Sequence, residues 1–286
     1  MKEKLFVLMQ YLIPHHALSR AAGWVARSQT PWIRNTFIEW FVKRYNVDMS
    51  LAQEENPLAY ACFNDFFTRA LKDGARPIDA EATSIVFPAD GAISQLGDIA
   101  DGRIFQAKGQ GYTTVELLGG DPALANEFAG GKFATVYLSP RDYHRVHMPY
   151  HGKLRKMVAI PGDLFSVNDA TAKGVPRLFS RNERVAAIFD TDIGPMAVVM
   201  VGAMIVAGIE TVWAGEVAPI KRQIQTTDYV ATPAAEIELA KGAEMGRFKL
   251  GSTAIVLFAK DRVEWDTQFR AGSPTVMGQG MGHIRH

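Results

Sequence analysis

Only one of the 286 residues is a cysteine, Cys62, so no disulfide can form within the chain, and that scarcity fits a reducing compartment. Neither sign of charge is in excess: the formal balance is +1, which argues against a general nucleic-acid binder. Long apolar runs are missing too. Spanning a bilayer takes ~18–20 uninterrupted apolar residues, whereas the longest stretch, Pro195 to Ile209, is broken by Gly202 and Gly208. With Val198, Val199, Val201, Ile205, Val206 and Ile209 it reads as buried strand around a bend. Leu5 to Ile13 has the apolarity of a signal-peptide core, but Pro14-His15-His16 stands where a small-residue cleavage site belongs. The Gly-x-Ser-x-Gly elbow of a serine hydrolase does not occur, nor does a strict internal repeat.

What the chain does have is material for a core: 48% of its residues are apolar, enough for one large domain or two. Its charge is unevenly placed. Residues 1–44 hold seven basic side chains (Lys2, Lys4, Arg20, Arg27, Arg34, Lys43, Arg44) against two acidic ones (Glu3, Glu39), a local +5 that leaves −4 for the remainder. Over the same region apolar residues recur at helical spacing: Leu5, Leu8, Met9 and Leu12 before Pro14; Leu18, Ala21, Ala22 and Val25 before Pro31; then Ile33, Phe37, Trp40, Phe41 and Tyr45. Such faces, joined with Lys, Arg and the indoles of Trp24, Trp32 and Trp40, suit the interface of an anionic membrane. The same stripes would also serve to cover a core.

After Arg76-Pro77 the texture changes to short β-rich runs broken by Gly, Asp, Asn and Pro, among them Gly91–Leu96, Ile104–Ala107, Phe133–Leu138, His151–Ile160, Val185–Phe189, Met196–Val206, Thr211–Val217 and Ala254–Phe258. Many short strands with turns between them predict antiparallel pairing. The expected fold class is α+β: a mainly antiparallel β sandwich or partly open barrel core over residues 76–286, preceded by an N-terminal helical, membrane-associating region over residues 1–75.

Near the C-terminus, Leu250-Gly251-Ser252-Thr253 precedes the apolar run Ala254 to Ala259. A serine hydroxyl attacks the carbonyl of its own preceding residue only where that carbonyl is unshielded and the peptide held bent, and glycine permits both. Gly-Ser ahead of a strand is also an ordinary turn. Such a serine needs a base, usually a histidine oriented by a carboxylate. Asp90, in Pro88-Ala89-Asp90-Gly91, and His147, in Tyr143-His144-Arg145-Val146-His147-Met148-Pro149, could complete that set with Ser252. Asp-Gly is equally a common turn dipeptide, and loop histidines often only bond backbone carbonyls. His144, His147 and His151 have a spacing that zinc could use, but Pro149 interrupts it and no Glu stands as in His-Glu-x-x-His; no metal is expected. Arg145 could attract a phosphate or carboxylate.

Together, Pro-x-Asp-Gly at residues 88–91, Tyr-His-x-x-His-x-Pro at 143–149 and Leu-Gly-Ser-Thr at 250–253 resemble, in kind and in order, the bacterial phosphatidylserine decarboxylase proenzymes. Phe63-Asn64-Asp65-Phe66-Phe67-Thr68-Arg69, Ile160 to Asn168, Phe179 to Arg184 and Val201-Gly202-Ala203 extend the likeness over roughly residues 60–260. Residues 221–238 and the glycine-rich tail from Gly272 carry none of it. The resemblance implies self-cleavage between Gly251 and Ser252, assisted by Asp90 and His147, into a large chain 1–251 and a small chain 252–286. It implies that Ser252 becomes a covalent pyruvoyl group, the sole cofactor, which forms a Schiff base with phosphatidylserine and yields phosphatidylethanolamine and carbon dioxide. His144 is then the candidate for substrate handling or proton return, and Tyr137, Phe165 and Ser166 for lining the headgroup pocket. The expected partners are phosphatidylserine, an anionic membrane surface and the two chains of one precursor, with a homo-oligomer left open and no nucleic acid. The expected location is peripheral, on the cytoplasmic side of the cell membrane. Two rival readings stand beside this one: a lipid-acting serine hydrolase that keeps Ser252 intact, and a non-catalytic peripheral lipid-binding protein whose polar motifs are only turns.

Overall fold

Proline punctuates the N-terminal region as the sequence predicts. In a computed structural model describing residues 2–107, 109–204, 208–230, 236–249 and 252–285, with backbone alone at Lys2 and Ser252, helix α1 (Lys2–Leu12) ends before Pro14 and α2 (His15–Ala26) follows it. Helix α3 (Pro31–Tyr45) begins on Pro31, where the missing N–H would have had no helical partner anyway. The apolar stripes, however, face outward. In α1 the side chains of Leu5, Leu8, Met9 and Leu12 are exposed while Gln10 is buried; α2 buries His15, Ser19, Gly23 and Ala26 and exposes Leu18 and Trp24. Small and polar residues thus make the protein-facing side, and packing leaves most of the apolar side chains free. Helix α3 is different, since Ile38 and Phe41 join Phe63, Phe66 and Phe67 of the short helix α4 (Phe63–Phe67) in an aromatic cluster, with Trp32 and Trp40 outside it.

The β region is organised around a nine-stranded antiparallel sheet. Its order is Gln225–Asp228, Gly152–Ile160, Arg184–Thr191, Gly194–Val201, Ser252–Phe258, Lys132–Leu138, Gly91–Asp98 and Pro274–Thr275, with Glu238–Leu239 also paired to Gly152–Ile160. Ser252–Phe258 lies near the middle, and its side chains feed two cores: Ala254, Val256 and Phe258 enter one, Ile255 and Leu257 the other. Burial on both faces accounts for a continuous apolar run without polar alternation. A four-stranded sheet, in the order Gly215–Glu216, Gly208–Thr211, Glu244–Lys249, Arg145–His147, adds Val146, Ile209, Met245 and Phe248 to the first core. A three-stranded sheet joins Ser84–Val86, Gly280–Ile284 and Val263–Trp265. Among the described residues the large sheet does not close on itself, so the α+β, mainly antiparallel expectation holds and no closed barrel forms.

One local expectation changes, and two unassigned stretches gain a place in the sheets. Thr211–Val217 reads as one strand, yet residues 212–214 form a turn between Thr211 and Gly215. Residues 221–238 contain the exposed edge strand Gln225–Asp228, paired with Lys156–Ala159. The tail from Gly272 is structural, for Pro274–Thr275 pairs with Gly91–Ala92, and Gly280–Ile284 is the central strand of the three-stranded sheet.

Candidate active site

Two neighbouring segments pass from one sheet to the other side by side. Lys132–Leu138 leaves the large sheet through a turn closed by the Asp142 carboxylate on the Ser139 N–H (2.7 Å) and becomes Arg145–His147 in the small sheet. Glu244–Lys249 belongs to the small sheet, and the chain re-enters the large one at Ser252. The two are antiparallel partners on both sides of the crossing: Ser252 lies opposite Leu138, while Arg247 lies opposite Arg145 and Glu244 opposite His147. The Phe248 N–H also donates to the His144 carbonyl at 3.0 Å. Leu250, Gly251 and the Ser252 side chain fall outside what is described; the register sets the histidine segment alongside Glu244 to Phe248.

The tautomer of His147 follows from its partners. Nδ1 is 2.8 Å from the Gly242 carbonyl; a carbonyl only accepts, so Nδ1 carries the proton and Nε2 keeps its lone pair. The Tyr143 hydroxyl donates to that lone pair at 3.1 Å. Burial lowers the imidazole's pKa, against the opposing fields of Glu244 and Asp90, so His147 is a neutral base near neutral pH.

His144 is fully buried. Its Nδ1–H donates to the Asp142 carbonyl at 2.8 Å, and its Nε2 has no hydrogen-bond partner. Burial, with a smaller contribution from Arg69, pushes its pKa down to about 3. A buried acceptor without a donor is costly unless a ligand or substrate meets it.

Asp90 sits beside the histidine segment, because the His147 N–H donates to the Pro88 carbonyl at 2.8 Å. Its carboxylate is nonetheless taken by other groups: Arg76 holds both oxygens, and the Met277 N–H donates to Oδ1 at 2.8 Å. No hydrogen bond joins Asp90 to His147 among the described contacts; the Gly242 carbonyl orients the imidazole instead. Gly91 has its own reason to be glycine, since a Cβ there would lie 2.1 Å from the Tyr137 carbonyl oxygen.

The remaining candidates divide. Tyr137, opposite Thr253 in the register, borders a cavity of about 410 Å³ shared with Val167, Asn168 and Lys173. Phe165 and Ser166 are held by the N-terminal helices: Gln10 Oε1 accepts from the Ser166 N–H (3.0 Å) and hydroxyl (2.9 Å), and Phe165 packs edge-on against Tyr11 and His15. Arg145 is paired with Glu244 at 2.7 Å rather than open to a ligand. His151 stands apart beside Asp192. Sequence reasoning assigned no role to Arg76, Tyr143, Phe67, the Gly242 carbonyl or the Met277 N–H. Tyr143 and Phe67 lie within motifs already quoted, but backbone partners leave no signature in side-chain identity.

Two buried, neutral imidazoles beside a strand crossing, one with an unpartnered lone pair, form a candidate acid–base site. Comparison with known proteins narrows the class. The phosphatidylserine decarboxylase family profile matches residues 63–283, and a second profile, described as PSD, matches residues 5–46. A phosphatidylserine decarboxylase proenzyme of Pseudomonas fluorescens strain Pf-5 is 63% identical over 282 residues, covering 99% of this chain and 98% of the relative. Proenzymes of the same description from Stutzerimonas stutzeri strain A1501 and Ectopseudomonas mendocina strain ymp are each 61% identical, covering 99% and 100% of this chain and 95% and 100% of theirs. The chain belongs to the phosphatidylserine decarboxylase family.

Proposed function

We propose that this chain is a self-processing, pyruvoyl-dependent decarboxylase that converts phosphatidylserine to phosphatidylethanolamine on the cytoplasmic face of a bacterial membrane. The observation that supports the reading is the pairing on both sides of the crossing: the Phe248 N–H bonds the His144 carbonyl and Glu244 faces His147 before it, and Ser252 faces Leu138 after it. In maturation, His147 Nε2 accepts the Ser252 hydroxyl proton once the Tyr143 hydroxyl gives way. The carboxylates of Glu244 and Asp90 favour the resulting imidazolium through space. The Ser252 oxygen adds to the Gly251 carbonyl and the peptide nitrogen is released, giving an ester. Loss of the Ser252 α-proton expels the Gly251 carboxylate and leaves dehydroalanine, whose enamine takes up water and releases ammonia, with no oxidant required.

The residues present fit the group so formed, since the unpartnered buried Nε2 of His144 offers a lone pair without competing donors. A pyruvoyl carbonyl would supply an electrophile for the substrate amine and a sink for the electrons released with carbon dioxide. His144 takes up a proton at Nε2 during turnover and returns it to the former α-carbon, and Phe67, tilted against its ring, shuts water out from that side.

Membrane association rests on the outward apolar faces of α1 and α2, the exposed Trp24, Trp32 and Trp40, and the local excess of basic residues. No helix among the described residues is long and apolar enough to cross a bilayer. The test is intact-mass analysis with assay on phosphatidylserine vesicles. The wild type should give a 35-residue small chain lacking a free N-terminal amine, and Ser252→Ala should stay whole, folded and inactive. Full activity in an unbroken chain overturns the reading.

A further inference from the structure

Two stretches that no motif explains, the residue just beyond the N-terminal region and the glycine-rich tail, converge on Asp90. Arg76 Nε lies 2.9 and 3.0 Å from Oδ1 and Oδ2, and its Nη2 2.5 Å from Oδ2, a forked grip that fixes direction as well as distance. Arg76 is itself steadied by a hydrogen bond from Nη1 to the Ala75 carbonyl at 2.9 Å. The Met277 N–H supplies the remaining contact at 2.8 Å. Its segment is tied to the approach to Asp90: the Thr275 hydroxyl donates to the Ala89 carbonyl at 2.9 Å, the Phe87 N–H to Gln279 at 2.9 Å and the Gly278 N–H to Phe87 at 3.1 Å.

We propose that Arg76 is a positioning residue for self-cleavage, acting through Asp90: with the Met277 N–H it fixes the carboxylate where it acts on His147 through space without hydrogen-bonding it. The inference rests on the reading of Ser252 as nucleophile and His147 as base. Because Met277 belongs to residues 252–286, the same clamp joins the small chain to the large one across the cut.

The groups facing His147 are Asp90 and Glu244, which favour its cation, Arg145, which opposes it, and the Tyr143 hydroxyl and Gly242 carbonyl. Glu244 is compensated by Arg145 at 2.7 Å and Arg247 at 3.0 Å; Asp90 is compensated by Arg76. Without the Arg76 charge, Asp90 presents an unbalanced carboxylate and His147 retains its proton to higher pH. Less base is then available on the acid side.

The experiment follows appearance of the small chain in cell-free-synthesised precursor transferred to buffers between about pH 5 and 9, a range that brackets histidine titration. Arg76→Met should cleave about tenfold or more slowly and move the acid limb of the rate profile upward by about half a unit or more, the span expected when a general base changes its neighbours. Arg76→Lys keeps the charge without the fork and should lose rate with the limb in place. Combining either substitution with Asp90→Asn should be no slower than Asp90→Asn alone, since the residues act as one unit. A slowed Arg76→Met with an unmoved limb, wild-type rates in both Arg76 variants, or double variants slower than Asp90→Asn overturns the proposal. Should Arg76→Met be insoluble, the Arg76→Lys and Asp90→Asn pair decides by the same rate comparison. Failure of the wild type to cleave at all would instead strike the self-processing reading.

Discussion

His144 lies against Phe67, with ring centroids 3.9 Å apart and the planes inclined by 37°, so helix α4 provides one wall of the histidine's pocket. The neighbours of Phe67 are tied to the same place: Arg145 Nε donates to the Thr68 carbonyl at 2.9 Å and Arg69 to the Arg141 carbonyl at 3.1 Å. A phenyl face removes water from the imidazole and returns no hydrogen bond, which leaves Nε2 neutral and unoccupied. These contacts tie the N-terminal region to the candidate site.

Separation of the two histidine roles is directly measurable. His144→Ala should still yield large and small chains on a denaturing gel, because the proposed base for cleavage is His147. Its carbon dioxide release from phosphatidylserine should fall by roughly 10²–10⁴-fold, the range expected for a lost general acid–base group. An uncleaved His144→Ala precursor would move His144 into maturation.

Buried neutral histidines also make stability depend on pH. His144 titrates at about 3 when folded and His147 below its ordinary value, whereas both titrate near ~6.5 in the unfolded chain. Between those values the unfolded chain binds protons that the folded one refuses, so the histidines' contribution is complete above ~6.5 and is lost as pH falls toward ~3. Each adds a slope of at most ~1.4 kcal/mol per pH unit. Glu183, pushed up by burial, works in the opposite sense, so the useful comparison is between variants. His144→Phe should show a smaller loss of Tm from pH 7 to 5 than the wild type, by differential scanning calorimetry; parallel losses would contradict a neutral buried His144.

Much of this was legible in residue order, and what was not has a physical cause. Pro14 and Pro31 fix the helix breaks through backbone chemistry that needs no tertiary context. Apolar periodicity found the helices, yet it cannot say which face meets protein; in α2 the buried side is His15, Ser19, Gly23 and Ala26. Ser252, His144 and His147 are named by motif; the register pairs the strand of His147 with Glu244–Lys249, and the strand that Ser252 opens with Lys132–Leu138. The partner of Asp90 was read as His147 because triad logic supplies no other, whereas the fold brings Arg76 from 14 residues upstream and a backbone N–H from the tail. Phe165 and Ser166 carry family likeness without any sign that α1 would lie over them, since the Gln10 contact spans 156 residues.

Gly91 is where backbone geometry and chemistry meet. Its φ of +153° is one that L side chains rarely adopt, and an added Cβ would meet the Tyr137 carbonyl at 2.1 Å, backbone that cannot swing aside. Gly91→Ala should cost about 1–3 kcal/mol or more, as overpacking does, and should slow self-cleavage by displacing the neighbouring Asp90. Urea unfolding of the variant at wild-type stability would show that the strand can open there.

Membrane docking yields the last prediction because its cost to the fold is small. Trp24 and Trp32 are 71% and 73% exposed, so changing both to alanine should leave stability within about 0.5 kcal/mol per site, the usual range for surface substitutions. Binding is another matter, for an indole drawn into the headgroup region gains part of the ~1.5–3 kcal/mol of a buried large side chain. The double variant should sediment with anionic vesicles about tenfold less well, and added salt should weaken wild-type binding by screening the basic N-terminal residues. If the indoles instead rest against protein in solution, the double substitution would lower Tm and leave sedimentation unchanged. The two readouts move in opposite patterns, so one variant separates a membrane-facing surface from a packing one.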